Sequence, residues 1–166
     1  MSVIYLIGFM GTGKTTTGRM LAHELQYTFY DMDEVVVDMA SQSISDLFAE
    51  CGEDGFREFE TKALQSLPLE KSVIATGGGA ILREENRNYM KENGRVVWLD
   101  ARPSEILKRL KEDTSRPLLA QDKKRAIESL YEKRESTYKQ AADFKVATDG
   151  KNTEEIVGEI RTLLSC

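Results

Sequence analysis

The chain is short of cysteine, histidine and positive charge, and it has no long apolar run. Its two cysteines, Cys51 and Cys166, stand far apart in 166 residues. They give neither the paired spacing of a thiolate metal site nor a disulfide framework. Plain thiols are expected, Cys51 buried as a small hydrophobe and Cys166 at a frayed end. The single histidine, His23, falls in a helix after a glycine loop and is expected on the helix surface rather than in catalysis. Lysine and arginine number 23 against 28 aspartates and glutamates, a formal net charge of −5. A net acidic chain argues against general nucleic-acid binding, and any anionic ligand must then be held by specific cations. The apolar residues 2–7 are far too few for a membrane span, and no basic leader precedes them. A cytoplasmic protein with no membrane or nucleic-acid partner is expected, and a monomer from size alone. There is no internal repeat, low-complexity tract or linker, so residues 1–166 are expected to form a single domain with its own core.

What the chain does have is alternation. Strands are expected at 3–7, 28–33, 72–76, 95–100 and 144–148, and helices at 14–25, 82–93, 103–112, 123–142 and 153–164. Residues 33–67 read as two or three helices broken near 41–43 and at Gly52. Gly94 closes one helix and Pro103 opens another. Strands alternating with helices predict an α/β fold, a three-layer α/β/α sandwich with a five-stranded parallel sheet covered on both faces. Turn formers and charges between two helices mark residues 113–124 as a candidate mobile loop.

The stretch GFMGTGKT at 8–15 matches G-x-x-x-x-G-K-[ST], with a strand before it and a helix after. Its glycines let backbone N–H groups turn inward around phosphate oxygens, and the helix N-terminus adds partial positive charge. Lys14 is a mobile cation for the β- and γ-phosphates, and Thr15 offers a hydroxyl to Mg²⁺. Gly11, Thr12, Gly13, Lys14, Thr15 and Thr16 are the candidate nucleotide contacts. A glycine turn that only caps a helix is the plainer reading of the same stretch.

The phosphate needs an acceptor. No N-K-x-D segment of the kind that reads guanine is present, and the chain is short for a motor or transport ATPase, so a small-molecule kinase is expected. Asp31 and Asp33 end an expected strand, where α/β sheets place ligands, and alternation would turn both to one side. One could hold the water shell of Mg²⁺ and the other accept a hydroxyl proton; alternatively Asp33 caps a helix starting at Glu34. Arg57 and Glu60 stand at i, i+3. They are either a surface ion pair of ~0.3 kcal/mol or a guanidinium oriented toward an anionic substrate. Three glycines at 77–79 make either a plain turn or a close approach of backbone to ligand. Arg116 reads as a loop cation and Arg134 as part of a solvated helix face unless a ligand recruits them. Asp100 ends an apolar strand as a Walker B aspartate would, but is expected to shape the turn before Pro103.

In order, GFMGTGKTTTGRMLA, YDMD, GEDGFREFE, ATGGGA, SRPLL and YEKRESTYKQAAD resemble the shikimate kinase family over nearly the whole chain. The resemblance implies a P-loop NTPase sheet of order 2-3-1-4-5 and the conversion of ATP and shikimate to ADP and shikimate 3-phosphate with Mg²⁺. By that likeness Asp33 holds the reacting diol and acts as base or orienter. Arg57, Gly78 and Arg134 grip the ring, the two arginines on its carboxylate, and Glu60 holds Arg57. Asp31 reaches Mg²⁺ through water beside Thr15. Arg116 swings over the phosphates. Arg109 stacks near adenine, with the loop around Lys151 and Asn152 on the other side. Residues 33–60 become the acceptor segment and 111–124 a lid that excludes water. Another small kinase, for gluconate or a nucleoside monophosphate, would share cradle and lid without needing Arg57 and Arg134 opposite Asp33. A catalytically silent nucleotide-binding regulator would be expected to lack Asp33 or Arg116, and both are present.

Overall fold

The computed structural model describes residues 3–110 and 123–166. Five strands, β1 (Val3–Ile7), β2 (Thr28–Asp31), β3 (Ser72–Ala75), β4 (Arg95–Asp100) and β5 (Phe144–Ala147), form one sheet of order β2-β3-β1-β4-β5. Every pairing is parallel, with Tyr5 beside Ile74 on one side and Val96 on the other. This is the expected order. Both faces of the sheet are covered, which is why β1, β3 and β4 read as unbroken apolar runs.

Among the described residues there are seven α-helices: α1 (Lys14–Leu25), α2 (Met32–Ala40), α3 (Ile44–Ser66), α4 (Glu84–Asn93), α5 (Pro103–Leu110), α6 (Lys123–Ala141) and α7 (Thr153–Leu164). Alternate residues of a strand face opposite ways. Val3, Tyr5, Ile7, Val96 and Trp98 pack with Leu64, Met90 and Tyr138 from α3, α4 and α6. Ile4, Leu6, Val97 and Leu99 pack with Leu21, Val157 and Ile160 from α1 and α7. Among the described residues, no helix is long and apolar enough to cross a membrane.

Three local departures from expectation have physical causes. β2 stops at Asp31 because its carboxylate accepts the Asp33 N–H at 2.9 Å and caps α2, which starts at Met32. Asp33 therefore lies in a helical first turn; it neither shares a strand face with Asp31 nor caps a helix at Glu34. α4 begins at Glu84 because Ala80–Leu82 winds into a 3₁₀ turn. Cys51 is exposed rather than buried, since α3 breaks at Gly52 (φ 69°, ψ −172°) and carries that stretch to the surface. His23 is exposed, as expected.

The loops after β1, β2 and β3 all leave the carboxyl edge of the sheet, the usual place for a ligand in this architecture. One buried polar link ties two of the flanking elements there: the Thr61 hydroxyl donates to Asn86 Oδ1 (3.0 Å), and Asn86 Nδ2 donates to the Ala80 carbonyl (2.9 Å). Asn86→Leu keeps volume but strands both partners, so it is expected to cost about 1–3 kcal/mol. Urea unfolding checks this; an unchanged midpoint would contradict the link.

Candidate active site

The loop between β1 and α1 is held by its own polar groups. Gly8, Gly11 and Gly13 have φ of 148°, 79° and 88°, and a Cβ on Gly8 would drive into the Leu99 carbonyl. Thr12 is buried and its hydroxyl donates to the Phe9 carbonyl at 2.9 Å, which leaves its backbone as the group it can offer a ligand. Lys14 Nζ donates to the Gly8 and Phe9 carbonyls at 2.5 and 3.0 Å. Thr15 and Thr16 are exposed at the start of α1, and the Thr15 hydroxyl donates to Asp31 Oδ2 at 3.0 Å.

Beside this loop Arg109 donates to the Gly11 carbonyl (3.0 Å) and the Thr148 hydroxyl (3.3 Å) and pairs with Glu105 (3.3 Å). The Asn152 side chain accepts the Glu155 N–H at 2.8 Å and caps α7. Lys151 pairs with Glu159 at 2.7 Å. Asp100 accepts the Tyr131 hydroxyl at 2.8 Å and pairs with Lys145 at 3.4 Å. Arg116 and most of the expected lid lie outside the described residues.

A second cleft adjoins the loop. Asp33, Arg57, Glu60, Gly78 and Arg134 line it together. The Arg57–Glu60 pair spans 2.7 Å, with the two side chains only 12% and 2% exposed, so it is no surface ion pair. Glu53 adds a longer contact to Arg57 at 3.4 Å. Arg57 Nε is buried without a hydrogen-bond partner among the described residues. Arg134 is 8% exposed and stacks over Phe9 at 5.9 Å.

The glycine run now has a steric reason. A Cβ on Gly77 would press on Glu60 Oε2 at 2.5 Å, and one on Gly79 would overlap the Arg57 guanidinium. A Cβ on Gly78 would reach the Met10 nitrogen at 3.4 Å and Arg134 Nη1 at 3.5 Å. Cradle and glycine turn therefore lie close, with about a methyl group's room between Gly78 and Met10.

Sequence reasoning missed the apolar wall of this cleft, made by Met10, Ile44, Phe48 and Phe56. The Phe48 and Phe56 rings stand 4.6 Å apart. Their spacing on α3 looks like any helix face turned to a core, and only the proximity of Phe56 to Arg57 hinted otherwise. The set as a whole can hold a small ring against apolar carbon on one side and fix an anionic group and a hydroxyl on the other.

The chain is similar to known proteins along nearly its whole length. A family model described as Shikimate kinase matches residues 10–165. A shikimate kinase of Bacillus mycoides is 42% identical over 161 residues, 97% of this chain and 97% of that protein. The solved shikimate kinase from Acinetobacter baumannii in complex with shikimate is similar with a TM-score of 0.94 at 34% identity, over 99% of this chain and 93% of that one. The structure from Aquifex aeolicus gives 0.83 at 39% identity, over 98% and 96%.

Glu60 has a titration consequence. Burial pushes its carboxyl above the ordinary range, and the Arg57 guanidinium offsets this only in part; Asp33 adds to the rise and Arg134 opposes it. A raised folded-state pKa means the folded chain binds the proton more tightly than the unfolded one. Its contribution to stability is then fully present below the ordinary value of 4.5 and is lost as pH rises through the folded-state value. Glu60→Gln removes that loss. Unfolding free energies from about pH 4.5 to neutrality should show wild type losing ground to the variant as pH rises; a constant difference would contradict the assignment.

Proposed function

The chain belongs to the shikimate kinase family, and from that premise we propose that it transfers the γ-phosphate of ATP to the 3-hydroxyl of shikimate, releasing ADP and shikimate 3-phosphate. The observation that carries this reading is the closeness of the Gly8–Met10 loop to the Gly78 turn, beside a cleft that gathers two arginines and Asp33.

ATP's tail lies in the cradle, on loop N–H groups of Gly11, Thr12 and Gly13 and on Thr16, with Lys14 moving from the Gly8 and Phe9 carbonyls to the β- and γ-phosphates. Arg109 faces the adenine end, together with the segment around Asn152. Shikimate lies in the second cleft, with its ring carbons against Phe48 and Phe56 and its carboxylate on Arg57 and Arg134, whose planar forks suit it. Gly78 contacts the ring and Asp33 the reacting hydroxyl. The bond from the γ-phosphorus to the β,γ-bridging oxygen breaks as the bond to the 3-oxygen forms, and Asp33 takes or directs the hydroxyl proton. Residues 33–60 serve as the acceptor segment and 111–124 as the lid, with Arg116 as a further cation on the phosphates.

Mg²⁺ fits the residues present. Among the described residues no cluster of three or more histidine, cysteine or acidic side chains could cage a metal, while Thr15 and Asp31 offer two hard oxygens 3.0 Å apart beside the cradle. That suits an ion that keeps waters and takes phosphate oxygens. When bound it neutralises phosphate charge, and Thr15 and Asp31 would hold it, Asp31 through water.

Coupled ADP release with ATP and Mg²⁺ over a panel of shikimate, gluconate and nucleoside monophosphates tests the reading. Turnover with shikimate is expected; turnover only with another acceptor, or with none, would overturn it. Lys14→Ala is expected to lower kcat by on the order of 10²-fold or more, from lost charge stabilisation, with the melting curve kept. Near-normal turnover would contradict the cradle assignment.

A further inference from the structure

Helix α6 brings Tyr131, Arg134 and Tyr138 to one face, three and then four residues apart. Arg134 belongs to the acceptor cleft. Tyr138 does not line it, yet it is 1% exposed, its ring stacks on Trp98 at 5.7 Å and 20°, and its hydroxyl donates to the Gly78 carbonyl. That carbonyl is part of the peptide joining Gly78 to Gly79. The Arg57 guanidinium rests against Gly79, and Arg134 Nη1 lies 3.5 Å from where a Cβ on Gly78 would be. Both cations of the cleft thus abut the peptide that Tyr138 holds.

Three consecutive glycines have no side chains to set their peptide planes. The ends of the turn are anchored otherwise: Thr76 N–H and hydroxyl donate to the Leu6 carbonyl at 3.0 and 3.1 Å, and Asn86 holds the Ala80 carbonyl. Within the turn the Gly77 and Gly79 carbonyls accept the Ala80 and Leu82 N–H groups at 3.2 and 3.1 Å, and the Gly78 carbonyl between them is held by Tyr138.

We propose that Tyr138 is a positioning residue of the acceptor site, whose hydroxyl, through the Gly78–Gly79 peptide, sets the spacing of Arg57 and Arg134. It touches neither substrate. Burial pushes the phenol up to about 12 against the adjoining Arg134 guanidinium, whose charge and side-chain hydrogen bond pull the other way, so it keeps its proton and remains a donor throughout the physiological range. The inference rests on the acceptor site proposed above.

Tyr138→Phe keeps the ring stack and removes only the hydroxyl. Initial rates against shikimate and against ATP, with shikimate titrations by calorimetry, are compared for wild type, Tyr138→Phe and Tyr131→Phe. Tyr138→Phe is expected to raise the shikimate KM and Kd about tenfold, the effect of stranding one buried carbonyl, and to leave the ATP KM within about twofold. Tyr131→Phe loses a hydroxyl bond from the same helix to Asp100, and its shikimate KM is expected to stay within about twofold. An unchanged shikimate KM in Tyr138→Phe, or equal rises for both substrates, would overturn the proposal. So would a Tyr138→Phe chain that is unfolded at assay temperature, because the hydroxyl would then be a fold anchor. A wild-type chain inert toward shikimate would overturn the acceptor site itself, and this inference with it.

Discussion

Two glycine segments face each other closely at the carboxyl ends of neighbouring strands, and the rest of the proposed site depends on that closeness. β1 and β3 run side by side with Leu6 opposite Ala75, and the Thr76 N–H extends their pairing to the Leu6 carbonyl at 3.0 Å. Beyond that point the phosphate loop and the 77–79 turn lie close enough that a Cβ on Gly78 would sit 3.4 Å from the Met10 nitrogen. In the proposed site the nucleotide and acceptor pockets would therefore adjoin, as in-line transfer requires. The parallel sheet supplies this adjacency, while the glycines permit the last few ångströms.

The electrostatics follow from placing charge where the fold leaves little water. The protein is acidic as a whole, so attraction for an anion has to be local. The proposed acceptor site assigns it to Arg57 and Arg134, and Glu60 and Asp33 bring the cleft's formal charge to balance. Burying Glu60 is costly, as its raised pKa shows. A buried ion pair is weak evidence for stability; here its visible effect is geometric, since Glu60 holds one Arg57 nitrogen at 2.7 Å while Nε has no hydrogen-bond partner among the described residues.

How much of this was legible varies with the range of the interaction. β1, α1, β4 and α7 coincide residue for residue with their expected spans, because an apolar run, a glycine loop, Pro103 just beyond β4 or the Asn152 cap marks their ends. β2 was read two residues too long because a side chain, Asp31, captured the Asp33 amide and started a helix where alternation suggested more strand. The cradle was legible as a contiguous motif, and the acceptor residues mainly as a family likeness. Arg57 and Glu60 show why: i, i+3 spacing is the same on a surface as in a cleft, and only burial separates the two. Phe48 and Phe56 carry the pattern of ordinary core residues. Tyr138 was invisible because its partner is a backbone carbonyl 60 residues away, and no side-chain pattern records it.

The most direct measurement is a crystal structure with a non-hydrolysable ATP analogue, Mg²⁺ and shikimate bound together. The account predicts the 3-hydroxyl oxygen about 3–3.5 Å from the γ-phosphorus and in line with the bond to the leaving oxygen, Lys14 on the phosphates, and Arg57 and Arg134 on the carboxylate. Nucleotide and shikimate in separate clefts, with the Gly78 turn drawn away from the Gly8–Met10 loop, would contradict it.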